Sequence, residues 1–195
     1  MLAFKKEALL ICCVALTFLG CAIGAQDKKH AMESYYQALQ ATDPHKNEVM
    51  QQGSKKERAA IERFSYLLAN FTEDTIRRYV RVLYAPNAYY RDSFTEKQGV
   101  ENIETYFIEG TRTMDELAFD LQDVAVHDGN YYFRWITQFS QKGKKDDVIH
   151  LPGVSHVRFD KEGRVIFEQD FWDAGVIYER LPIIGSFIRW LKKKA

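Results

Sequence analysis

The chain has 195 residues, of which 46% are hydrophobic and 28% are charged. This composition is typical of a globular protein, and the length allows one domain of ordinary size whose core needs no disulfide or metal to fold. Lysine and arginine together number 27, as do aspartate and glutamate, so the net charge is zero and the sequence lacks the basic field that recruits nucleic acid.

Residues 1–25 have the layout of a secretory signal and are left out of the fold. Lys5 and Lys6 precede an apolar run over residues 8–19, and small residues follow. The run is short for a membrane span. All three cysteines of the chain lie in this segment, so the rest of the chain has no cysteine for a disulfide or a metal site.

The last of these cysteines, Cys21, follows Phe18-Leu19-Gly20. This motif resembles the lipobox of bacterial lipoproteins, with phenylalanine in place of the usual leucine, and the resemblance implies acylation of Cys21. Plain cleavage near residues 22–24 and an uncleaved anchor are the alternatives. The expected location is the cell envelope, either as a periplasmic lipoprotein attached to the membrane or as a soluble periplasmic or secreted protein.

Residues 26–56 are polar and contain Pro44 and Gly53 as breakers. This composition predicts a tether with at most a short helix near Glu33–Leu39. The tether would hold the following domain away from a membrane.

The globular part begins near Glu57 with helical spacing of apolar residues. A second helix begins after Thr72, a plausible N-cap, and carries a predicted apolar stripe that includes Ile76 and Tyr79. A third helix is predicted at Val100–Met114. A short strand at Asn87–Phe94 separates the second and third helices.

After the third helix the pattern alternates with period two, which indicates strands. The predicted strands are Leu117–Val126, Tyr131–Gln141, Val148–Phe159 and Val165–Trp172. Helices followed by a meander of strands predict an α+β fold with an antiparallel sheet, and the domain is placed at residues 57–173.

The last two strands form a hairpin around Gly163, which can take the positive φ that a tight turn needs. Its second strand alternates as follows: Val165, Phe167, Gln169 and Phe171 on one face, and Ile166, Glu168, Asp170 and Trp172 on the other. Two carboxyl groups therefore share a face with a tryptophan. This face is either solvated, as acidic faces of antiparallel sheets usually are, or it lines a pocket in which the carboxyl groups have raised pKa values.

Residues 174–195 form a separate tail, in which residues 182–195 return to helical spacing. They have a broad apolar face and a basic carboxyl end. The helix either packs on the sheet or on a second subunit, or it lies on a membrane surface.

Two stretches resemble the nuclear transport factor two-like superfamily, which includes ketosteroid isomerase, scytalone dehydratase and the SnoaL-like polyketide cyclases. They are LYAPNAYYRDSF at Leu83–Phe94, followed by Gly99 and a helix with Tyr106-Phe107, and HVRFDKEGRVIFEQDFWD at His156–Asp173. The resemblance covers residues 57–173. It implies a cone-shaped curved sheet, wrapped by three helices, whose concave face forms a pocket, with the carboxyl-terminal amphipathic helix outside this unit.

The resemblance also implies roles for residues. Asp92 falls where ketosteroid isomerase has its general base, and Tyr66 falls near its tyrosine donor. Ser155 falls where that enzyme carries a protonated aspartate, and since a serine hydroxyl is a weaker donor to an oxyanion, steroid isomerisation is not expected. Asp170 resembles the acid–base aspartate of SnoaL-like cyclases. The expected pocket lining is Tyr90, Phe133, Trp135, Thr137, Ser155, Glu168 and Trp172, around the catalytic candidates Asp92, Asp170 and Tyr66.

Three functions follow from these expectations. The first is a cofactor-free isomerase, dehydratase or cyclase acting on a small hydrophobic molecule through Asp92 and Asp170, without a metal. The second is a module that binds a hydrophobic ligand or another protein without catalysis, and the third is a structural lipoprotein. A pocket in which both aspartates reach one ligand favours the enzyme, and one closed by its aromatic side chains favours the others. Phe167 and Phe171 on the opposite face predict a homodimer through the sheet.

Overall fold

The computed structural model describes residues 32–181 and 184–194. The predicted signal segment, with Cys21, lies outside these residues. Within the described ranges, no helix is both long and apolar enough to cross a bilayer.

The chain divides into two compact units at residue 41. The described part of the first unit is helical at residues 32–41 (α1), which includes the short helix predicted near residues 33–39. The second unit runs from Thr42 onward and contains the site.

Residues 42–54 contact the domain, although the sequence predicted a free tether up to residue 56. Met50 is buried in the hydrophobic core, and Lys161 pairs with Glu48 at 2.7 Å. The tether prediction is therefore wrong for these residues. The prediction relied on the polar composition of the segment. It did not account for Met50, whose side chain is buried in the core and so stabilises the attachment of the segment.

Three helices form one layer: α2 at Lys55–Ala69, α3 at Glu73–Leu83 and α4 at Val100–Arg112. Thr72 caps α3 as predicted, since its hydroxyl accepts a hydrogen bond from the amide of Thr75 at 3.2 Å. This helix ends at Leu83, three residues before Pro86. The chain already turns into a strand at Tyr84.

Six strands form one unclosed sheet in the order β2-β1-β6-β5-β4-β3. Their bounds are Tyr84–Arg91 (β1), Glu96–Gln98 (β2), Met114–His127 (β3), Asn130–Gln141 (β4), Ile149–Phe159 (β5) and Val165–Trp172 (β6). The meander from β3 to β6 is antiparallel, which confirms the predicted α+β class, and β1 adds to β6 in parallel. The helices cover the concave face of this curved sheet.

The β5–β6 hairpin turns at Gly163, whose φ of 82° is the left-handed value that glycine adopts without strain. Beside this turn the pairing shifts between Arg158 and Phe159, so that Val165 pairs with Phe159 and joins the concave core. The face predicted for Val165 is therefore wrong. An irregular step in the ladder inverts the alternation locally, whereas Glu168, Asp170 and Trp172 keep the expected common face.

The convex face of the sheet buries Phe167 within the monomer. The Tyr89 ring stacks on it at 5.6 Å, and the Arg158 guanidinium lies 5.5 Å from its centroid. His156 packs beside it and under Tyr132, and burial lowers the pKa of this histidine to about 4, so it is neutral at pH 7. Phe171 is 53% exposed, so the homodimer expected through this face stays a prediction that only Phe171 still supports.

The carboxyl-terminal tail contains a short helix, α5, at Gly175–Tyr178 and a longer one, α6, at Ile184–Lys192. Both belong to the same compact unit as the sheet. The helical spacing predicted for residues 182–195 is therefore confirmed for the described residues of α6.

Candidate functional site

A cavity of about 440 Å³ lies between the helices and the concave face of the sheet. Its wall is mainly apolar and aromatic, as is common in pockets for small organic ligands. The acidic side chains of the lining lie in one group, formed by Asp92, Glu168 and Asp170 with the tyrosines Tyr84, Tyr90 and Tyr106. We call these six residues the acidic end. The face of β6 that carries Glu168 and Asp170 thus lines a cavity and is not a solvated surface.

Two carboxyl groups of the acidic end converge on one hydroxyl. The Tyr90 oxygen lies 3.3 Å from Asp92 Oδ2 and 3.1 Å from Asp170 Oδ2. Because a phenol has a single hydrogen, Tyr90 can donate a hydrogen bond to one carboxylate while it accepts a hydrogen bond from the other carboxyl group when that group is protonated. The structure therefore links Asp92 and Asp170 through one proton-carrying group.

Asp92 follows the last residue of β1 and is held by four donors. Its Oδ1 accepts from the amides of Phe94 and Thr95, both at 2.8 Å, and closes the turn toward β2. Its Oδ2 accepts from Tyr106 at 2.5 Å, in addition to Tyr90. The Asp92 carboxyl group is thus fixed in position, with one oxygen in the turn and the other directed at the cavity.

Asp170 is positioned by a chain of hydrogen bonds behind the cavity wall. Trp135 Nε1 donates to Ser155 Oγ at 2.9 Å, and Ser155 Oγ donates to Asp170 Oδ1 at 2.6 Å. Burial raises the pKa of Asp170 to about 7, helped by the charge of Asp92, although hydrogen bonds to Asp170 act in the opposite direction. Asp170 therefore exchanges its proton near neutral pH, which suits a general acid or base.

Glu168 is the most enclosed of the three acids, and it accepts a hydrogen bond from Tyr84. Burial and the neighbouring Asp170 raise the pKa of Glu168 well above its usual value. The hydrogen bond between Glu168 and Asp170 raises the pKa of Glu168 and lowers that of Asp170, so Glu168 is the donor of this pair. Burial and the adjacent Asp92 likewise hold the pKa of Tyr106 well above the usual tyrosine value, so its hydroxyl stays a donor.

Three of the candidates named from the sequence do not line the cavity. Tyr66 is 47% exposed and packs against Tyr79 at 5.2 Å on the outer side of the helices, because α2 directs Phe64, Leu67 and Leu68 inward instead. Tyr79, predicted in the buried stripe of α3, is exposed with it.

The other two are enclosed behind the wall. Phe133 is fully buried against Phe64, with ring centroids 4.5 Å apart, so it belongs to the core beneath α2. Ser155 is fully buried, and its hydroxyl is already engaged by Trp135 and Asp170. It therefore cannot donate to a ligand, whereas the remaining candidates, Tyr90, Asp92, Trp135, Thr137, Glu168, Asp170 and Trp172, line the cavity.

The tyrosine donors were assigned no role from the sequence. Tyr84 and Tyr106 contact Glu168 and Asp92 and take the place expected for Tyr66. A signal was present, because both lie in the stretches that carried the family resemblance. The sequence pattern did not show that the hydroxyl groups of these two tyrosines form hydrogen bonds with Glu168 and Asp92.

Aromatic rings and α5 surround the cavity next to Trp172. Phe94 meets Trp172 edge-on at 4.8 Å and Tyr178 at 6.0 Å, and Ile177 of α5 lines the wall. Lys142 is the only cationic residue of the lining. Its Nζ lies 3.5 Å from the carbonyl oxygen of Arg112, so the acids of the acidic end lie in a largely apolar enclosure and form no ion pair with this lysine.

This arrangement can move a proton to or from a bound molecule. It holds an acid that titrates near neutral pH, a second carboxyl group connected through Tyr90, and hydroxyl donors. Among residues 32–181 and 184–194, no group of three His, Cys, Asp or Glu side chains has a geometry that could hold a metal ion.

The Tyr90→Phe variant is expected to raise the pKa of Asp170 above its wild-type value of about 7. The hydrogen bond from Tyr90 lowers this pKa, and phenylalanine removes it. The measurement is a titration of the Asp170 carboxyl carbon by NMR. Tyr89→Phe is the matched control, because the Tyr89 hydroxyl donates to Glu96 and lies away from the cavity. An unchanged or lower pKa of Asp170 in Tyr90→Phe would contradict the hydrogen bond from Tyr90 to Asp170.

Comparison with known proteins identifies the family of this domain. The family model described as SnoaL-like domain matches residues 61–167, more than half of the chain. A search among curated proteins returned no match.

Solved structures share the fold at low sequence identity. A protein from Jannaschia sp. CCS1, named as a SnoaL-like polyketide cyclase, is 17% identical with a TM-score of 0.54, covering 65% of this chain and 94% of that one. TerC, co-crystallised with polyporic acid, is 12% identical with a TM-score of 0.54, covering 62% and 95%. A Catenulispora acidiphila protein with a ketosteroid isomerase-like fold, in complex with trimethylamine, is 14% identical with a TM-score of 0.52, covering 60% and 89%.

Proposed function

Since this chain belongs to the SnoaL-like domain family, we propose that its cavity binds a small hydrophobic molecule and that Asp170 exchanges a proton with it. The reaction class is a cofactor-free isomerisation, dehydration or cyclisation. The observation that carries the proposal is the Tyr90 hydroxyl, which lies within hydrogen-bonding distance of both Asp92 and Asp170 inside one apolar cavity.

The roles follow from the different surroundings of the acids. Asp170, with a pKa of about 7, takes a proton from the ligand or gives one to it. Asp92 is the partner carboxyl group, connected to Asp170 through the Tyr90 hydroxyl. Glu168 stays protonated and donates a hydrogen bond to Asp170, and this bond stabilises the negative charge of Asp170 in the apolar cavity. Ser155 and Trp135 are positioning residues, because Ser155 holds Asp170 from behind the wall and Trp135 donates to Ser155.

The apolar lining decides the ligand class. Aromatic rings and aliphatic side chains form most of the wall, so the binding energy comes mainly from apolar surface removed from water. A carbonyl or hydroxyl group of the ligand would reach the acidic end. The ligand of TerC, polyporic acid, and that of the Catenulispora protein, trimethylamine, are suitable first probes. The first is an acid and the second an amine, so the two probes differ in the charge that they bring to the acidic end.

One observation favours binding without turnover as a second candidate. In this site the Ser155 hydroxyl has no free hydrogen for a ligand, so no donor faces an oxyanion from that position. A ligand-binding module would keep the acidic end for recognition. Turnover separates the two functions: an enzyme converts its ligand, and Asp170→Asn stops the conversion, whereas a binding module returns the ligand unchanged.

We expect wild-type protein, purified from cells under native conditions, to carry a small molecule that native mass spectrometry detects. Replacement of both acids, Asp92→Asn with Asp170→Asn, removes or changes this mass, because it removes the proton-exchanging pair. The control is the double variant Asp120→Asn with Asp146→Asn, which changes two exposed carboxyl groups outside the cavity. A protein that is empty when purified and binds neither probe would overturn the proposal.

Localisation at the cell envelope and acylation of Cys21 stay predictions. They rest on residues 1–25, which lie outside the described ranges. Mass spectrometry of the mature amino terminus would decide between acylation, plain cleavage and retention of the segment.

A further inference from the structure

The helix α6 turns its polar side toward the protein. Gly185 is buried so closely that a Cβ atom at this position would lie 2.2 Å from the carbonyl oxygen of Glu179. Arg189 donates to the same carbonyl, and Lys192 pairs with the Glu179 carboxylate. These three residues recur at helical spacing, so they form a single face, and this face attaches α6 to the end of α5.

The opposite side of α6 is apolar and faces outward. Ile184, Phe187, Trp190 and Leu191 are between 43% and 58% exposed. The rings of Phe187 and Trp190 stack with centroids 5.8 Å apart, which makes one continuous aromatic patch. A surface helix of a globular protein normally shows the reverse arrangement, with its apolar stripe on the core. The packing of α6 thus engages its polar face with Glu179 at the end of α5 and leaves the apolar face exposed.

The charge of this segment distinguishes between two possible partners of the apolar face, a second copy of the chain and an anionic surface. Between residues 180 and 194 the chain has five basic residues and no acidic one. A second copy of this helix would bring its own basic residues close to these five, and the repulsion between like charges is unfavourable. An anionic surface would be attracted instead. Lys194 lies 4.7 Å from the Trp190 ring, so the basic end directly adjoins the aromatic patch.

We propose that α6 is an interfacial helix that docks on an anionic lipid bilayer. Ile184, Phe187, Trp190 and Leu191 enter the boundary between headgroups and acyl chains, and Lys193 and Lys194 meet the lipid phosphates. Nine helical residues are too few to span a bilayer, so the helix lies in the plane of the surface. This inference rests on α6 alone and does not depend on what the cavity binds.

The test uses the full chain and a readout confined to α6, because the amino-terminal segment could bind lipid by itself. Hydrogen exchange of the amides of residues 186–194 is measured with vesicles of phosphatidylcholine, alone or mixed with phosphatidylglycerol. We expect slower exchange on the anionic vesicles only. The variant Lys193→Glu with Lys194→Glu loses at least about 10-fold of this protection, since each basic residue near an anionic surface contributes to binding.

Two further variants complete the test. Lys144→Glu with Lys145→Glu has the same change in net charge on the exposed turn between β4 and β5 and is expected to keep the protection. Phe187→Ser with Trp190→Ser is expected to lose it. The proposal is overturned if the α6 amides exchange at the same rate with and without anionic vesicles. It is also overturned if they are protected without lipid in proportion to protein concentration, which would identify a second copy as the occupant.

Discussion

The Asp170→Asn variant will be more stable than the wild type at pH 8 and will lose this advantage near pH 4. Burial raises the pKa of Asp170 from 3.8 to about 7 in the folded protein. A neutral amide avoids the cost of an enclosed negative charge. The shift sets an upper limit of about 4 kcal/mol to the gain in the free energy of unfolding, and the contact of Asp170 with the cavity reduces the expected gain to about 2 kcal/mol.

The direction follows from proton binding. Below pH 3.8 the carboxyl group is protonated in both the folded and the unfolded state, and it has no effect on stability. Between pH 4 and 7 only the unfolded state releases the proton, so rising pH destabilises the wild type. Above pH 7 both states are ionised and the full cost is present.

Urea denaturation at pH 4, 6 and 8 measures this effect in both proteins. Asp146→Asn is the control, because Asp146 is exposed in the turn after β4. A wild type that is more stable than Asp170→Asn at pH 8 would show that Asp170 is paired favourably, and the interpretation that its buried charge costs stability would be wrong. If the expected gain is found, the protein keeps an acid that costs stability, which is common for groups that act on a ligand.

The Gly153→Ala variant will be destabilised by about 3 kcal/mol, because an alanine here overpacks the core and breaks a buried hydrogen bond. A Cβ atom at Gly153 would lie 2.1 Å from the buried ring of Trp135. The ring must move, and its Nε1 then leaves Ser155 Oγ, now 2.9 Å away. The same change should disturb the position of Asp170, which Ser155 holds.

Gly110→Ala is the matched control for this substitution. Gly110 lies inside α4 with no atom within 4 Å of the added methyl group, so alanine should stabilise the helix by about 0.5 to 1 kcal/mol. If urea denaturation shows a lower free energy of unfolding for Gly153→Ala and a higher one for Gly110→Ala, the close contact at Gly153 is supported. Equal effects would mean that the Trp135 ring can move without cost.

Local patterns were sufficient to predict much of the fold from the sequence. The alternation in β6 placed Glu168, Asp170 and Trp172 on one face, and the Thr72 cap marked the start of α3, because both signals depend on neighbouring residues only. The shifted pairing at Val165 depends on the partner strand, so the same alternation failed at that end of β6. The parallel pairing of β1 with β6 joins residues far apart in the chain and has no local signal.

The site was predictable in part for the same reason. Asp92 and Asp170 followed from the family resemblance, which transfers positions along strands reliably. Tyr66 did not, because on a helix a shift of one residue rotates the side chain by about 100° and moves it to another face. The roles of Tyr84 and Tyr106 depend on which acids their hydroxyl groups meet, and that is settled by packing between β1, α4 and β6.

The acidic end also determines how the thermodynamics of ligand binding would depend on buffer. A neutral apolar ligand that fills the cavity displaces water from Asp170, and further desolvation raises the pKa of this acid again. Near pH 7 such binding takes up protons from solution. Calorimetric heats of binding would then vary with the ionisation enthalpy of the buffer, and affinity would increase as the pH falls. A cationic ligand would reverse both trends, so the sign of this dependence reports the charge of the ligand before its structure is known.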